Sequence, residues 1–217
     1  MFSSQKIILS HFKKHRTSER NTIFMNIWTE GLINGFELYL KVLPLMVIVL
    51  AFIVFAKKTS IRPLYFIGAQ SLILYLICLV EVVLFPLPTA EKIAAMNSYE
   101  GQFIPFNFIL DIAKDKSLSS VLQVLLNVLM TVPFGFFFKF FLNMKRRNII
   151  IITFLLSLTI ELAQLTGLFF TYPGSYRLFD VDDLIMNTLG GFIGTVLANN
   201  VNELIPDFYK NKTISIG

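Results

Sequence analysis

Long apolar stretches alternate with short polar connections along most of the sequence. Five stretches cover approximately residues 38–56, 64–85, 118–142, 149–170 and 184–201. A helix needs about 20 consecutive, mostly apolar residues to cross the hydrocarbon core of a bilayer, and each stretch is close to that length. The pattern therefore predicts an all-α integral membrane protein with about five transmembrane helices in one bundle.

The first 36 residues have a different pattern. Apolar residues recur at spacings of three and four from Phe24 to Tyr39, while Glu30 and Glu37 fall on other faces of the same helix. This spacing predicts an amphipathic helix over about residues 22–36 that lies at the membrane interface; a soluble-facing cap on the bundle is the alternative. The predicted organisation is a basic tail and interfacial helix over 1–36, a transmembrane domain over 37–205 and a polar tail over 206–217.

The composition excludes a soluble protein. Hydrophobic residues make up 55% of the chain and charged residues 15%, against about 25% charged in soluble domains. The single cysteine, Cys78, cannot form an internal disulfide. His11 and His15 lie one helical turn apart in the basic tail, where a solvated positive segment explains them better than a metal site. The expected partner is the lipid bilayer; no metal, cofactor or nucleic acid is expected, and the oligomeric state stays open.

Lys and Arg are unevenly distributed among the connections. They concentrate after the first and third stretches and in the C-terminal tail, at Lys57, Lys58, Arg62, Lys145, Arg146, Arg147, Lys210 and Lys212. Because basic loops stay on the cytoplasmic side, the loops at 87–117 and 171–183 are predicted to be extracellular. An odd number of spans then places the basic N-terminus outside, unless the amphipathic segment dips into the membrane.

Polar residues inside the last three stretches form stripes at helical spacing. The stripes are Ser120, Gln123, Asn127 and Thr131; then Thr153, Ser157, Glu161 and Gln164; then Asp183, Asn187, Gly190, Gly194 and Ala198. Intramembrane polar residues usually face the bundle interior or a water-filled cavity, so the three stripes are expected to face one another. Small residues at spacing four also let helices pack closely, which is the structural reading for Gly190, Gly191 and Gly194.

The densest charge cluster lies between residues 177 and 183, just before the fifth span. It contains Arg177, Asp180, Asp182 and Asp183. One carboxylate can cap the helix that follows, and acids in a first turn suit the helix dipole. Capping needs only one of the three, so a site for a cation or a polar head group is the alternative.

Two features of the preceding spans also have more than one reading. Glu161 is either a functional carboxylate or half of a structural pair with Arg177. Pro133 and Gly135 predict a kink or a widening of the third span, with or without a functional purpose.

These motifs together resemble the VanZ-like family. Asn127-Val-Leu-Met-Thr-Val-Pro133-Phe-Gly135 resembles its N-x-L-x-F-x-P-x-G helix, and Glu161-Leu-Ala-Gln164 resembles its E-x-x-Q helix. The segment from Arg177 to Gly190 resembles its R-x-x-D-x-D-D-x-x-x-N-T-x-G signature. Ile104-Pro105-Phe106 matches its N-L-I-P-F loop, but Gln102 stands where that loop has Asn. The resemblance covers roughly residues 64–197.

The resemblance implies a plasma-membrane protein of Gram-positive bacteria, associated with low-level resistance to teicoplanin and related lipoglycopeptides. The resulting hypothesis is one outward-facing polar site that binds a lipid-linked cell-wall precursor or the antibiotic. Its predicted residues are Asn127, Glu161, Gln164, Arg177, Asp180, Asp182, Asp183 and Asn187, with Pro133, Gly135, Gly190, Gly191 and Gly194 as structural positions. In this hypothesis Arg177 pairs a phosphate or carboxylate, as its planar fork suits.

Two alternatives stay open at this point. One is a membrane-embedded enzyme that modifies a lipid or cell-wall precursor, with Glu161 or Asp183 as general base. The other is a small transporter or scaffold, which ranks last because the sequence has no internal repeat of the kind often found in transporters. A binding protein is preferred to an enzyme, since no nucleophile motif lies within the spans.

Overall fold

The computed structural model describes residues 2–57, 63–85, 101–115, 118–171, 175 and 177–204. Several positions used above lie outside the described residues. These are Lys58, Arg62, the polar tail over 206–217 with Lys210 and Lys212, and parts of the predicted extracellular loops at 87–100, 116–117, 172–174 and 176.

Helices make up almost all of the described chain. In chain order they are α1 (Phe2–Lys57), α2 (Pro63–Leu84), α3 (Asn107–Asp115), α4 (Leu118–Phe140), α5 (Arg146–Leu165), α6 (Gly167–Phe170) and α7 (Val181–Leu204). Five segments are long and apolar enough to cross a membrane: Trp28–Ala56 in α1, Tyr65–Leu84 in α2, and all of α4, α5 and α7. The prediction of an all-α, multi-pass membrane protein is confirmed.

The largest difference from the predicted boundaries is at the first span. α1 is one continuous helix through residues 36 and 37, and its apolar segment begins at Trp28 rather than at Leu38. Glu37 interrupts the apolar run in the sequence, but in the helix its carboxylate lies 3.9 Å from the ammonium of Lys41, one turn later. Such pairing lowers the cost of placing charges in the span.

The fourth span is shorter than predicted. α5 ends at Leu165, and the next residues form the single left-handed turn α6, in which Gly167, Leu168, Phe169 and Phe170 all have positive φ. Because a left-handed turn cannot continue a right-handed helix, the chain leaves the helix axis here and returns toward α7.

The centre of the fold is α7, which packs between α4 and α5. Its glycines allow the backbones to touch. A β-carbon at Gly190 would lie 2.1 Å from the carbonyl oxygen of Val128, and one at Gly194 would lie 2.2 Å from that of Val132. On the other side of the contact, a β-carbon at Gly135 would lie 2.0 Å from the carbonyl oxygen of Gly191. The close-packing reading of these glycines agrees with this contact.

Pro133 lies in the middle of α4, which continues through it as one helix. The proline ring is exposed on the outer face of the bundle. Close by, the Tyr75 hydroxyl of α2 donates a hydrogen bond of 2.7 Å to the carbonyl oxygen of Met130. This hydrogen bond ties α2 to α4 about one turn before the proline.

A very short parallel ladder, which the sequence did not predict, closes one end of the bundle. Its strands are β1 (Gly101–Gln102) and β2 (Phe179–Asp180), with Gln102 opposite Asp180. The rings of Phe103 and Phe179 stack beside it at 5.4 Å between centroids. The ladder therefore fixes the loop before α3 directly over the acidic segment before α7.

Candidate functional site

Two connected cavities lie at the end of the bundle that the ladder closes. The outer cavity has a volume of about 300 Å³ and is lined by Trp28, Gln123, Asn127, Gln164, Arg177, Leu178, Asp180 and Asp183. The inner pocket, about 40 Å³, extends further along the helices to Thr131, Ser157, Glu161 and Asn187. They share Trp28, Asn127, Gln164, Arg177 and Asp183 in their linings. The inner pocket therefore adjoins the outer cavity and extends further between the helices.

Hydrogen bonds join the polar stripes of α4, α5 and α7. The Asn127 side-chain amide donates to the carboxylate of Asp183. The Thr131 hydroxyl donates to the Asn187 carbonyl oxygen at 2.6 Å, and the Asn187 amide donates to the Ser157 hydroxyl oxygen at 2.8 Å. The three stripes thus face one another, as their helical spacing predicts.

Glu161 is the most enclosed carboxylate of the pocket, with 2% of its surface exposed. One carboxylate oxygen, Oε2, accepts the backbone N–H of Asp180 at 3.0 Å. Among the described residues no ion pair joins Glu161 to Arg177, so the structural pair considered from the sequence does not form. A backbone donor from the ladder, rather than a cation, positions this side chain.

Gln164 connects the site to the second helix. Its side-chain amide donates a hydrogen bond of 2.9 Å to the backbone carbonyl oxygen of Val83, near the end of α2. The backbone carbonyl oxygen of Gln164 accepts a hydrogen bond from the Ser175 hydroxyl at 3.1 Å. Both contacts tie the end of α5 to its surroundings. Gln164 therefore lines the cavity and also connects α5 to α2 and to Ser175.

Asp180 caps the N-terminus of α7. Its Oδ1 accepts the backbone N–H of Asp182 at 2.8 Å and the Gln102 amide at 3.3 Å. Burial raises the pKa of Asp180, the backbone hydrogen bond from Asp182 opposes that rise, and the charge of the Asp182 carboxylate adds to it. The capping role considered from the sequence is thus filled by Asp180.

Asp182 has a different task from its two neighbours. Its side chain is buried, and its carboxylate accepts the backbone N–H groups of Phe106 and Phe108, the latter at 2.9 Å. It therefore holds the start of α3 in the way an N-cap residue would, although it lies more than 70 positions along the chain. It lines neither the outer cavity nor the inner pocket but a neighbouring cavity of about 220 Å³ between α3, α4 and α7.

The predicted site therefore separates into two groups. Asn127, Glu161, Gln164, Arg177, Asp183 and Asn187 line the inner pocket, and Asp180 joins Arg177 and Asp183 at the outer cavity. Asp182 is a structural residue of the loop above them. No group of three or more His, Cys, Asp or Glu that could hold a metal ion was found within the described part of the chain.

Several residues that line or support the cavities were absent from the predicted site, and Gln102, Ser157 and Trp28 are three of them. The Gln102 amide donates to Ile104 and to both Asp180 and Asp182, so it ties the loop before α3 to the acidic segment. Ser157 belongs to a polar stripe, which is the signal that could have placed it in the site. Trp28 carries no such signal, because its place at the cavity depends on how α1 packs.

Comparison with known proteins gives a match to a protein family. The family model described as VanZ/LLP1 matches residues 72–202, more than half of the chain. The matched range contains every predicted site residue and excludes α1. No curated protein and no solved structure matches the chain. On the strength of the family match, the chain belongs to the VanZ/LLP1 family.

Proposed function

We propose that this protein is a bacterial plasma-membrane protein that gives low-level resistance to teicoplanin and related lipoglycopeptides by binding a ligand in the outer cavity. One observation carries the proposal: three of the four motifs that resemble the family converge on this cavity. Asn127 comes from the first motif, Gln164 from the second, and Arg177 and Asp183 from the third. Residues from three separate segments that meet at one opening are better explained by a shared ligand than by packing alone.

The distribution of basic residues supports an outward-facing cavity. Lys145, Arg146 and Arg147 lie at the α4–α5 connection, at the opposite end of the bundle from the cavities. Basic connections favour the cytoplasmic side. Trp28 lines the cavity where the α1 span begins, so the part of α1 before Trp28 extends beyond the cavity end of the bundle. This arrangement favours an N-terminus on the same side as the cavity.

The size of the cavity favours the head group of a lipid-linked cell-wall precursor over the whole antibiotic. Ligand pockets usually have volumes of about 300–1,000 Å³, and the outer cavity, about 300 Å³, is at the lower limit. A lipoglycopeptide is too large to enter and would place only one arm there. Arg177, exposed at the opening, suits the phosphate or carboxylate of either ligand.

The proposal is tested by teicoplanin susceptibility of a sensitive Gram-positive host, with vancomycin as the control antibiotic. The host expresses the natural protein, Arg177→Ala, or the matched control Arg147→Ala at the opposite end, and immunoblots establish equal membrane levels. Arg177→Ala should return susceptibility to that of the host without the protein, while Arg147→Ala should protect fully. Full protection by Arg177→Ala would exclude the cavity as the functional site.

The enzyme alternative keeps one supporting observation, because Glu161 and Asp183 line the same inner pocket. Two carboxylates in one pocket can divide the roles of general acid and base. Mass spectrometry of lipid-linked precursors decides between the alternatives. A product that is present with the natural protein and absent with Glu161→Gln would establish an enzyme; unchanged precursors in both strains would support binding.

A further inference from the structure

The first helix carries a stripe of polar side chains on its outer surface. The stripe consists of Glu30, Asn34, Glu37 and Lys41, at spacings of three and four residues along α1. Residues at these spacings lie on one face of a helix, and all four are exposed. Trp28, two residues before Glu30, lies on the opposite side of α1, where it lines the outer cavity. The stripe therefore faces away from the bundle and from the candidate site.

The contact between α1 and α2 shows how deep the stripe lies in the membrane. A β-carbon at Gly35 would lie 2.8 Å from the α-carbon of Cys78, so the two helices touch at this level. Because a helix rises about 1.5 Å per residue, Cys78 is about 9 Å below the end of α2 at Leu84. By the same rise, Glu37 and Lys41 lie about 12 Å and about 18 Å deep. Both charges are thus near the middle of a hydrocarbon core of about 30 Å.

Polar groups at this depth are costly when they face lipid. The Glu37 carboxylate and the Lys41 ammonium are 3.9 Å apart on the same helix, but 60% and 74% of their side-chain surfaces stay exposed. The Asn34 side chain is also exposed, and it has no hydrogen-bond partner within the described part of the chain. Lipid tails offer these groups neither hydrogen bonds nor charge. The stripe therefore needs a polar partner within the membrane.

The stripe is complementary to a second copy of itself. Copies of one membrane protein insert in the same orientation, so two α1 helices that meet along the stripe are parallel, with equal residues at equal depth. Asn34 then faces Asn34 of the other copy, and an amide can both donate and accept. Glu37 of each copy lies one turn from Lys41 of the other, which has the opposite charge. A two-fold interface uses the same patch on both subunits, and this patch meets that requirement.

We propose that the protein forms a parallel two-fold dimer through this outer face of α1. The two Asn34 amides hydrogen-bond across the axis, and Glu37 and Lys41 form two reciprocal ion pairs between the copies. Glu30 needs no partner within the hydrocarbon, because the next residue, Gly31, contacts Val82 near the end of α2. Since Trp28 points to the opposite side, the cavities of both copies stay open. The inference goes beyond the proposed function and does not depend on the ligand.

Disulfide crosslinking in the host membrane tests the contact. Cys78, the only cysteine, is replaced by alanine, and Asn34→Cys or the control Phe36→Cys is introduced into that background. Phe36 is 49% exposed, but it points about 200° away from Asn34 around the helix, since each residue turns by about 100°. Under mild oxidation Asn34→Cys should give a dimer band in non-reducing gels, held in place by the remaining ion pairs, while Phe36→Cys should stay monomeric.

Three other outcomes would overturn the proposal. Monomer alone from both variants would mean that the stripe faces lipid. An adduct of a different mass with Asn34→Cys would mean that another membrane protein covers the stripe. Equal dimer bands from both variants would mean random collision in the membrane.

A mixture of two charge variants tests the ion pairs between copies. Glu37→Lys makes both charges positive and Lys41→Glu makes both negative, so neither variant keeps the pair within its own helix. Copies with two different affinity tags are co-expressed and purified together in mild detergent. Each variant paired with itself should recover at least about tenfold less partner than the natural protein, because like charges meet. The two variants paired with each other should restore the recovery.

Equal recovery from all combinations would overturn the assignment of these charges to an interface between copies. Immunoblots of the membrane fraction establish that each variant is inserted. Where either variant fails to reach the membrane, the crosslinking result with Asn34→Cys decides alone.

Discussion

In this protein the most apolar span, the first, is the least buried, and the least apolar span, the last, is the most buried. The span in α1 is the most apolar of the five, yet in its most apolar stretch of 18 residues none of the side chains that the structure describes is buried; α7 is the least apolar, and half of its corresponding stretch is buried. A soluble protein shows the reverse. In a bilayer the lipid is as apolar as leucine, so apolar burial does not drive helices together, and small and polar residues form the contacts instead.

The two helices also differ in whether the family match covers them. α7 carries the family motif and packs against α4 and α5 through glycines and hydrogen-bonded side chains. α1 lies outside the family match and contacts mainly α2, where Gly31 and Gly35 allow the two helices to approach. The family match therefore covers the helices that pack around α7, while α1 contributes Trp28 to the cavity from outside the matched range.

The largest expected effect is on the glycine contact itself. Gly190→Leu forces a side chain against the backbone of α4 at Val128, and overpacking of this kind costs about 1–3 kcal/mol or more. The control is Ala51→Leu on the exposed face of α1, where the larger side chain meets lipid. Thermal unfolding in detergent should show a large loss for the first variant only. Equal stability of both variants would contradict the contrast between the inner and outer helices.

A smaller effect is expected where Asp182 holds the loop before α3. Asp182→Ala leaves two backbone N–H groups, of Phe106 and Phe108, without their acceptor, at a cost of about 1–3 kcal/mol. Hydrogen exchange should become faster at residues 106–108 while α4 and α7 stay protected. Lys114→Ala, at an exposed position of α3, is the control, and unchanged exchange in Asp182→Ala would mean that the loop does not depend on this carboxylate.

The smallest effect concerns the cap of α7. Because burial raises the pKa of Asp180, ionisation of its carboxylate costs more in the folded than in the unfolded state. The cost is absent below the ordinary value of 3.8 and develops as the pH rises through the folded pKa. Asparagine caps a helix about as well without ionising. Asp180→Asn should therefore be slightly more stable than the natural protein at neutral pH.

This difference in stability should shrink as the pH falls, and unfolding midpoints measured from neutral to acidic pH provide the check. A stability advantage that grows toward acidic pH would have the wrong sign and would contradict the cost assigned to the buried carboxylate.

Much of the architecture was predictable from local pattern. The bilayer imposes a minimum length on each span, so apolar runs were enough to find the five helices that can cross a membrane. Helical spacing alone was enough to place Asn127, Ser157 and Asn187 on inward faces. The boundaries of the first and fourth spans were less accurate, because an ion pair within α1 and a left-handed turn after α5 are not visible as hydropathy.

The roles of the acidic residues were decided only by the tertiary structure. From the sequence, Asp180, Asp182 and Asp183 form one cluster of equivalent carboxylates. In the fold, Asp180 caps α7, Asp182 holds a loop from residues more than 70 positions earlier, and Asp183 faces the cavity. The sequence by itself determined the membrane class, the number of spans and the polar faces, because each depends on residues within one helix. The division of labour among the carboxylates, and the places of Gln102 and Trp28, depend on which distant segment docks beside them.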